Sequence, residues 1–237
     1  MVRSTTAHEE GIIELSIYPI HMGFDTIYAV KGEGVILIDG GDSPKLANFK
    51  DGLAKALIQP EEIKLIILTH GHWDHIGSTR EIKQLTSARV LMHDKDMHYL
   101  AEVKPTNPPG FTPWGKIVSA LLTLISPLIH IPTFEVDIVA GDEERSLSEY
   151  GIPGRLICTP GHSWGSVSVL LDSGEVFVGD LAMNLFPLRL NPGLPIFGDD
   201  IQLVKNSWKK LLDMGAKTVY PAHGEPFPAQ VMRKLIA

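Results

Sequence analysis

The sequence predicts an α/β fold in a single domain that spans residues 1–237. Apolar runs without alternation, such as 35–38 and 63–68, are typical of strands buried on both faces of a sheet. Segments with apolar residues at helical spacing alternate with these runs along the chain. A length of 237 residues and a hydrophobic fraction of 44% suffice to bury one large core.

The first half of the chain alternates strands and helices. Ser43 is a candidate N-cap for the first helix, with Pro44 at its first helical position. A His-rich loop at 70–77 follows a buried strand, where binding loops of such sheets belong. The predicted strands lie near 12–20, 26–31, 34–41, 63–68 and 88–93, and the predicted helices near 43–57, 78–86 and 94–102.

The second half begins with an apolar insertion at about 104–132, where the alternation breaks. A Pro/Gly-rich stretch leads into a run with a helical stripe of Ile, Leu and Val and no charge on either face. We weigh three interpretations of segment 114–131: a buried core or dimer contact, a lid over a hydrophobic substrate, and a membrane-surface contact. After it we predict strands near 135–139, 154–159, 166–172, 175–179 and 217–223, and a helix near 200–213.

Composition restricts the partners. The net charge of −7 and the pI of about 5.8 leave no basic stripe for a phosphate backbone, so no nucleic-acid partner is expected. The apolar run is shorter than the roughly 20 residues that cross a bilayer, so no stable membrane insertion is expected. The N-terminus lacks an apolar signal segment, which favours a cytoplasmic location. A homodimer is compatible with the apolar insertion.

Seven ligand-type side chains stand just after predicted strands. His70, His72, Asp74 and His75 form the pattern H-x-H-x-D-H in one loop, and imidazole with carboxylate suits zinc, iron or manganese. His162, Asp180 and His223 each follow a later strand and could reach the same sheet edge. His93 and His98 straddle a strand-to-helix junction, and Cys158 is typical of a small buried thiol, so we predict no ligand there.

This pattern resembles the metallo-β-lactamase superfamily, in which H-x-H-x-D-H is followed by a separate His, Asp and His. The resemblance covers nearly the whole chain. It implies a four-layer αβ/βα sandwich of two mixed β-sheets flanked by helices. It also implies two divalent metal ions, most often zinc, with iron or manganese as alternatives. The implied ligands are His70, His72 and His162 for the first ion, Asp74, His75 and His223 for the second, and Asp180 between them.

The resemblance implies metal-assisted hydrolysis, with a metal-bound hydroxide as the nucleophile. Asp74 and Asp180 are then the catalytic carboxylates, and Asp74 is a candidate for passing a proton to the leaving group. Asp39 resembles the superfamily's Asp beneath the metal loop, which fixes the orientation of a ligand. An Asp that only initiates a turn explains this residue equally well. The superfamily's β-lactamases replace the bridging Asp, which Asp180 retains here.

The substrate is expected to be a small hydrophobic molecule with an ester, lactone or thioester bond. The apolar insertion and the apolar loop after Asp180 favour it, with Arg189 as a candidate contact for a carboxylate or carbonyl. The alternative is a persulfide dioxygenase-like enzyme with one iron on His70, His162 and Asp180, a branch that also has an Arg nine residues past its Asp. A non-catalytic metal-binding module is the third reading.

Overall fold

The computed structural model describes residues 2–8, 11–101, 107–129 and 133–236, and its first sheet has seven strands. They are hydrogen-bonded in the order of the chain. The first four pair in antiparallel fashion and the last four in parallel. The strands are β1 (Val2–His8), β2 (Gly11–His21), β3 (Thr26–Lys31), β4 (Val35–Ile38), β5 (Ile63–Ile67), β6 (Arg89–His93) and β7 (Ile138–Ala140).

The second sheet has six strands in the order β13-β12-β11-β10-β9-β8. All neighbours pair in antiparallel fashion except β11 and β12, which are parallel. Consequently β9, β11 and β12 run in one direction and end at one edge. The strands are β8 (Arg145–Ser146), β9 (Gly154–Cys158), β10 (Val167–Leu171), β11 (Glu175–Gly179), β12 (Thr218–Pro221) and β13 (Phe227–Pro228).

Six α-helices complete the described part of the chain. The bounds are α1 (Leu46–Ala56), α2 (Trp73–Ile76), α3 (Thr79–Thr86), α4 (Pro113–Ile125), α5 (Ile201–Asp213) and α6 (Gln230–Ile236). Phe49 of α1 and Ile82 of α3 pack on the outer face of the first sheet. Trp208 of α5 and Met232 of α6 pack on the outer face of the second sheet.

The main core lies between the two sheets. Leu15, Val30 and Leu65 from the first sheet meet Val169 and Phe177 from the second in one buried cluster. Strands buried on both faces explain the apolar runs without alternation, since all residues of β4 and β10 are buried. The order of layers is therefore helix, sheet, sheet, helix, and the predicted four-layer αβ/βα sandwich with two mixed sheets is confirmed.

Several element boundaries differ from the prediction. The first helix begins at Leu46 with Lys45 as its N-cap, so the assignment of Ser43 as the N-cap is wrong. The segment Asp94–Ala101 forms a 3-10 helix rather than an α-helix. The short strands β8 and β13 and the helix α6 had no clear signal in the sequence. Short two-residue strands depend on a partner that pattern alone does not reveal.

The apolar insertion forms α4 and a following 3-10 turn, Ser126–Leu128, while 104–106 and 130–132 lie outside the described residues. Gly115 is the only fully buried residue of α4, so the interpretation of this helix as buried core is wrong. Leu121, Leu124 and Leu128 are 56%, 75% and 86% exposed. Among the described residues, no helix combines the length and the apolar character needed to span a membrane.

Candidate metal centre

The seven predicted ligands meet where the four strands β5, β9, β11 and β12 end, at the seam between the sheets. His70 and His72 lie in the loop directly after β5, and Asp74 and His75 are in α2. His162 lies in the loop after β9, Asp180 follows β11, and His223 follows β12. All of them except Asp74 are buried, and the Asp74 side chain is 20% exposed.

The first group consists of His70, His72 and His162. Their ring nitrogens lie within 4.8 Å of one another. His72 Nδ1 lies 2.9 Å from His162 Nε2. The other nitrogen of two of these rings is held by the chain, because His162 Nδ1 faces the carbonyl of Phe197 at 3.2 Å and His70 Nδ1 faces the hydroxyl of Thr69 at 3.1 Å. Such contacts fix the ring orientation of a metal-binding histidine.

The second group surrounds the carboxylates of Asp74 and Asp180. His223 Nε2 lies 3.5 Å from Asp74 Oδ2 and 3.2 Å from Asp180 Oδ1, and His75 Nε2 lies 3.3 Å from the same Asp180 oxygen. The other oxygen of Asp180, Oδ2, lies 3.5 Å from His162 Nε2 of the first group. Asp180 therefore stands between the two groups with one oxygen toward each.

The donor atoms fit divalent cations. In the described part of the chain, His70 Nε2 and His72 Nε2 are buried without a hydrogen-bond partner. Buried polar atoms are rarely left unpaired, because desolvation costs about 1–3 kcal/mol for each. Imidazole nitrogens and carboxylate oxygens are the ligands that zinc, iron and manganese accept. The chain thus has groups of His and Asp suited to binding divalent metals.

The electrostatics differ between the two groups. Burial, reinforced by the neighbouring histidines, lowers the pKa of His72 to about 3 and that of His70 well below its ordinary value. Burial also lowers the pKa of His75, but the carboxylates of Asp39, Asp180 and Asp74 outweigh it and raise that pKa well above the usual range. The first group therefore presents neutral lone pairs, whereas a cation in the second group displaces protons from imidazolium.

The Asp39 carboxylate fixes the loop that follows β5 and carries His70 and His72. It accepts hydrogen bonds from Thr69 N at 2.7 Å and Thr69 Oγ1 at 2.9 Å, and Oδ2 lies 3.0 Å from His75 Nδ1. The backbone of Asp39 is left-handed, with φ of 67°, a conformation that costs a non-glycine residue about 1–3 kcal/mol. Gly179, also left-handed, lets Thr69 pack closely against β11, since a Cβ there would collide with it.

Two buried carboxylates at the site had no signal in the sequence. Asp25, just before β3, lies with Oδ1 3.2 Å from His223 Nδ1 and close enough to join the second group. Asp96 accepts hydrogen bonds from Gly71 N at 2.9 Å, Ser163 Oγ at 2.6 Å and Gly165 N at 2.8 Å. Asp96 therefore joins the His70 loop to the His162 loop. Asp25 is a single carboxylate just before a strand, and Asp96 follows Asp94 and Lys95 in a charged segment, and neither position forms a ligand motif.

A cavity of about 20 Å³ adjoins the metal ligands, which is room for about one water molecule. It is lined by His72, Asp74 and Asp180 on one side and by Ser119 and Leu122 of α4 on the other. Arg189 is not among its lining residues. The guanidinium donates to the carbonyls of Asn191 and Leu194 in its own loop, so the structure does not bring this predicted substrate contact to the cavity.

Comparison with known proteins assigns the family. The profile of the metallo-β-lactamase superfamily matches residues 23–223, which include every predicted ligand. The chain belongs to this superfamily.

Relatives agree with this assignment. The metallo-β-lactamase fold-containing protein ST1585 of Sulfurisphaera tokodaii is 30% identical over 213 residues, covering 88% of this chain and 76% of that protein. The probable metallo-hydrolase YflN of Bacillus subtilis is 29% identical over 214 residues, covering 84% and 78%. The crystal structure of TTHA1623 in a di-iron-bound form matches with a TM-score of 0.65 at 24% identity, covering 92% and 97%. The chain is thus a metal-dependent hydrolase of this superfamily.

Proposed function

We propose that the chain hydrolyses an ester, lactone or thioester bond of a small hydrophobic substrate at a dinuclear metal centre. The position of Asp180 is the observation that carries the proposal. One carboxylate oxygen faces His75 and His223, and the other faces His162. A carboxylate with an oxygen toward each of two ligand groups is suited to bridging two cations. The di-iron form of TTHA1623 supports a centre of two ions on this fold.

Bound divalent cations would supply Lewis-acid polarisation of the carbonyl and a lowered pKa for water. The residues of the chain contribute orientation and proton transfer. Asp74 lines the cavity and is partly exposed, so its carboxylate can accept a proton and pass it to the leaving group. Asp39 and Asp25 hold the Nδ1 sides of His75 and His223, so that their Nε2 atoms face the centre.

The preference for a hydrophobic substrate rests on α4. Leu122 of this helix lines the cavity, and together with Val118 it packs against Met183, Ile196 and Phe197. The cavity holds about one water, so a displacement of α4 would make room for a substrate beside the ligands. We infer that α4 is a lid whose apolar residues contact the substrate.

The test combines metal content with turnover of a panel of esters, lactones and thioesters graded by acyl length. Protein produced without added metal and handled without chelators should carry close to two equivalents of zinc, iron or manganese. Asp180→Ala should lower both the metal content and the turnover, the latter by at least about a hundredfold. The matched control is Asp213→Ala, which removes an exposed carboxylate at the end of α5 and should change neither.

Unchanged hydrolysis by Asp180→Ala would exclude the dinuclear mechanism. One equivalent of iron alone, together with oxygen uptake in the presence of a persulfide, would favour the alternative in which His70, His162 and Asp180 hold a single iron. Metal binding without turnover of any ester, lactone or thioester and without oxygen uptake in the presence of a persulfide would favour a non-catalytic binding module.

A further inference from the structure

A second cluster of ligand-type side chains lies outside the seven ligands, where the two sheets adjoin. His93 is the last residue of β6 in the first sheet, and Cys158 is the last residue of β9 in the second. Asp142 follows β7 by two residues. His93 and Cys158 are buried, whereas the Asp142 side chain is 65% exposed. The cluster therefore joins both sheets and opens to solvent on one side.

The three donor atoms form a compact triangle. Cys158 Sγ lies 3.3 Å from Asp142 Oδ1 and 3.7 Å from His93 Nε2, and His93 Nε2 lies 3.3 Å from the same Asp142 oxygen. Around a tetrahedral zinc ion with bonds of about 2.3 Å to sulfur and 2.0 Å to nitrogen or oxygen, donor atoms lie about 3.3–3.6 Å apart. The triangle thus has the size of one face of a zinc coordination tetrahedron.

The His93 ring is oriented for coordination. Its Nδ1 lies 2.9 Å from Asp94 Oδ1, and in the tautomer that donates Nδ1–H to this carboxylate the Nε2 atom keeps a free lone pair. Because the chain occupies Nδ1, the Nε2 atom is the one that faces Cys158 and Asp142. A ring held through its second nitrogen in this way is the usual arrangement of a metal-binding histidine.

The thiol is held as a proton donor in the absence of a cation. Burial, together with the adjacent Asp142 carboxylate, raises the pKa of Cys158 to about 11, so the thiol donates to Asp142 at neutral pH. Lys95 Nζ binds both oxygens of Asp142, at 2.6 and 2.9 Å. A cation entering the cluster displaces the thiol proton and competes with the Lys95 ammonium for Asp142.

Although the sequence alone predicts no ligand at His93 or Cys158, we propose from this geometry that His93, Asp142 and Cys158 form a third metal site, separate from the seven-ligand centre, for Zn²⁺ or another thiophilic divalent cation. Thiolate with imidazole selects such ions over magnesium or calcium. The ion enters through exposed Asp142 and links the ends of β6 and β9. Asp96, three residues after His93, holds the His70 and His162 loops together, so an ion here stabilises the segment that positions the first ligand group.

The single cysteine makes the site separable from the dinuclear centre. Cys158 is the only cysteine in the chain, and none of the seven predicted ligands is a thiolate. Co²⁺ is therefore added to the protein carrying its own metals while the near-ultraviolet thiolate-to-cobalt charge-transfer absorption is recorded. The expected result is a band that saturates at one cobalt ion per chain and disappears when excess Zn²⁺ is added.

Variants identify the ligands. Cys158→Ser should abolish the band while the metal content of the dinuclear centre stays at its wild-type value. Asp142→Asn, at an exposed position that does not threaten folding, should weaken cobalt affinity by at least about tenfold. The matched control Glu143→Gln removes the neighbouring exposed carboxylate and should leave the titration unchanged.

Absence of the charge-transfer band in folded wild-type protein at excess Co²⁺ would overturn the proposal. An equal loss of affinity in Glu143→Gln and Asp142→Asn would also overturn it, because the effect would then be one of surface charge. Neither result depends on turnover of an ester, so failure of this site and failure of the proposed hydrolase activity are distinguishable.

Discussion

At the scale of single residues, Asp39 links the fold to the metal centre. It adopts a left-handed backbone, accepts two bonds from Thr69 and faces His75 Nδ1. A turn-initiating Asp would need none of these side-chain contacts. The carboxylate therefore supports the prediction from the family resemblance that this residue orients a ligand.

Replacing Asp39 by Asn should weaken metal binding by about tenfold to a hundredfold, because a neutral amide with a single acceptor oxygen cannot hold both Thr69 and the Nδ1–H of His75 as the carboxylate does. Metal retained per chain after dialysis against a graded series of chelator concentrations measures the effect. Asp51→Asn, on the exposed face of α1, is the matched control. Equal retention by the Asp39 variant and wild type would mean that His75 is oriented without this carboxylate.

Asp137 gives the stability of the fold a dependence on pH. Burial raises its pKa, but hydrogen bonds from Lys83 Nζ at 2.7 Å and Val90 N at 2.7 Å outweigh burial and lower it. Because the folded pKa lies below the unfolded value, the stabilisation is complete above the ordinary carboxyl pKa of about 4 and is lost as the pH falls through the folded pKa.

Asp137→Asn should therefore lower the free energy of unfolding by about 1 kcal/mol at pH 7 and by less at pH 3, which lies below the unfolded pKa. Urea denaturation of the metal-free protein at both pH values measures the difference. The same loss at both pH values would show that the carboxylate charge contributes nothing.

At the scale of elements, α4 combines a small contact with the fold and a large exposed apolar face. Val118 and Leu122 face the fold, whereas Leu121 and Leu124 are exposed. Exposed apolar patches of this kind mark sites of interaction. With a buried core excluded, a lid, a dimer contact and a membrane-surface contact remain as interpretations of the insertion.

If α4 is a lid over a lipophilic acyl chain, Leu122→Ala, which shortens the leucine of α4 that lines the cavity, should lower kcat/KM for long-chain esters by about tenfold and leave short-chain esters unchanged. The double variant Leu121→Gln with Leu124→Gln, on the exposed face of α4, should change neither. Leu57→Gln removes an exposed leucine of similar exposure after α1 and serves as the control. An equal decrease for short and long esters would contradict the lid. A change in oligomeric state of the double variant would instead favour the dimer contact.

Some elements and most of the site could be predicted from the sequence alone. Strands buried on both faces, such as β4 and β10, and the amphipathic helices α3 and α5 follow from periodicity alone. The ligand pattern in the loop after β5 and the later His162, Asp180 and His223 predict a common site because each follows a strand. Asp25 and Asp96 could not be found this way, since their importance comes from contacts 198 and 67 positions away in the chain, to His223 and Ser163.

At the scale of the whole molecule, the layer between the sheets also positions the metal centre. The ring centroid of Phe177 lies 5.1 Å from that of Tyr28 and 4.9 Å from that of Tyr220, and Tyr28 donates its hydroxyl to the carbonyl of Pro221 at 2.7 Å. Phe177 precedes Asp180 on the same segment, and Tyr220 precedes His223. Three aromatic rings therefore set the spacing of two ligands.

Phe177→Ala should lower the free energy of unfolding by about 3–5 kcal/mol, because it removes a ring from the centre of the inter-sheet core. It should also weaken metal binding, because β11 and β12 lose the contact that holds Asp180 and His223 at their spacing. Urea denaturation with and without bound metal measures both effects, since an ion that binds only the folded state raises the free energy of unfolding by an amount that grows with the logarithm of its affinity. Val139→Ala, at a half-exposed position of β7, is the control and should change neither quantity appreciably. The contrary result would be a large loss of stability in Phe177→Ala while bound metal still raises the free energy of unfolding by the wild-type amount. The ligand loops would then hold their geometry without the aromatic layer, and the core and the metal centre would be independent units of the fold.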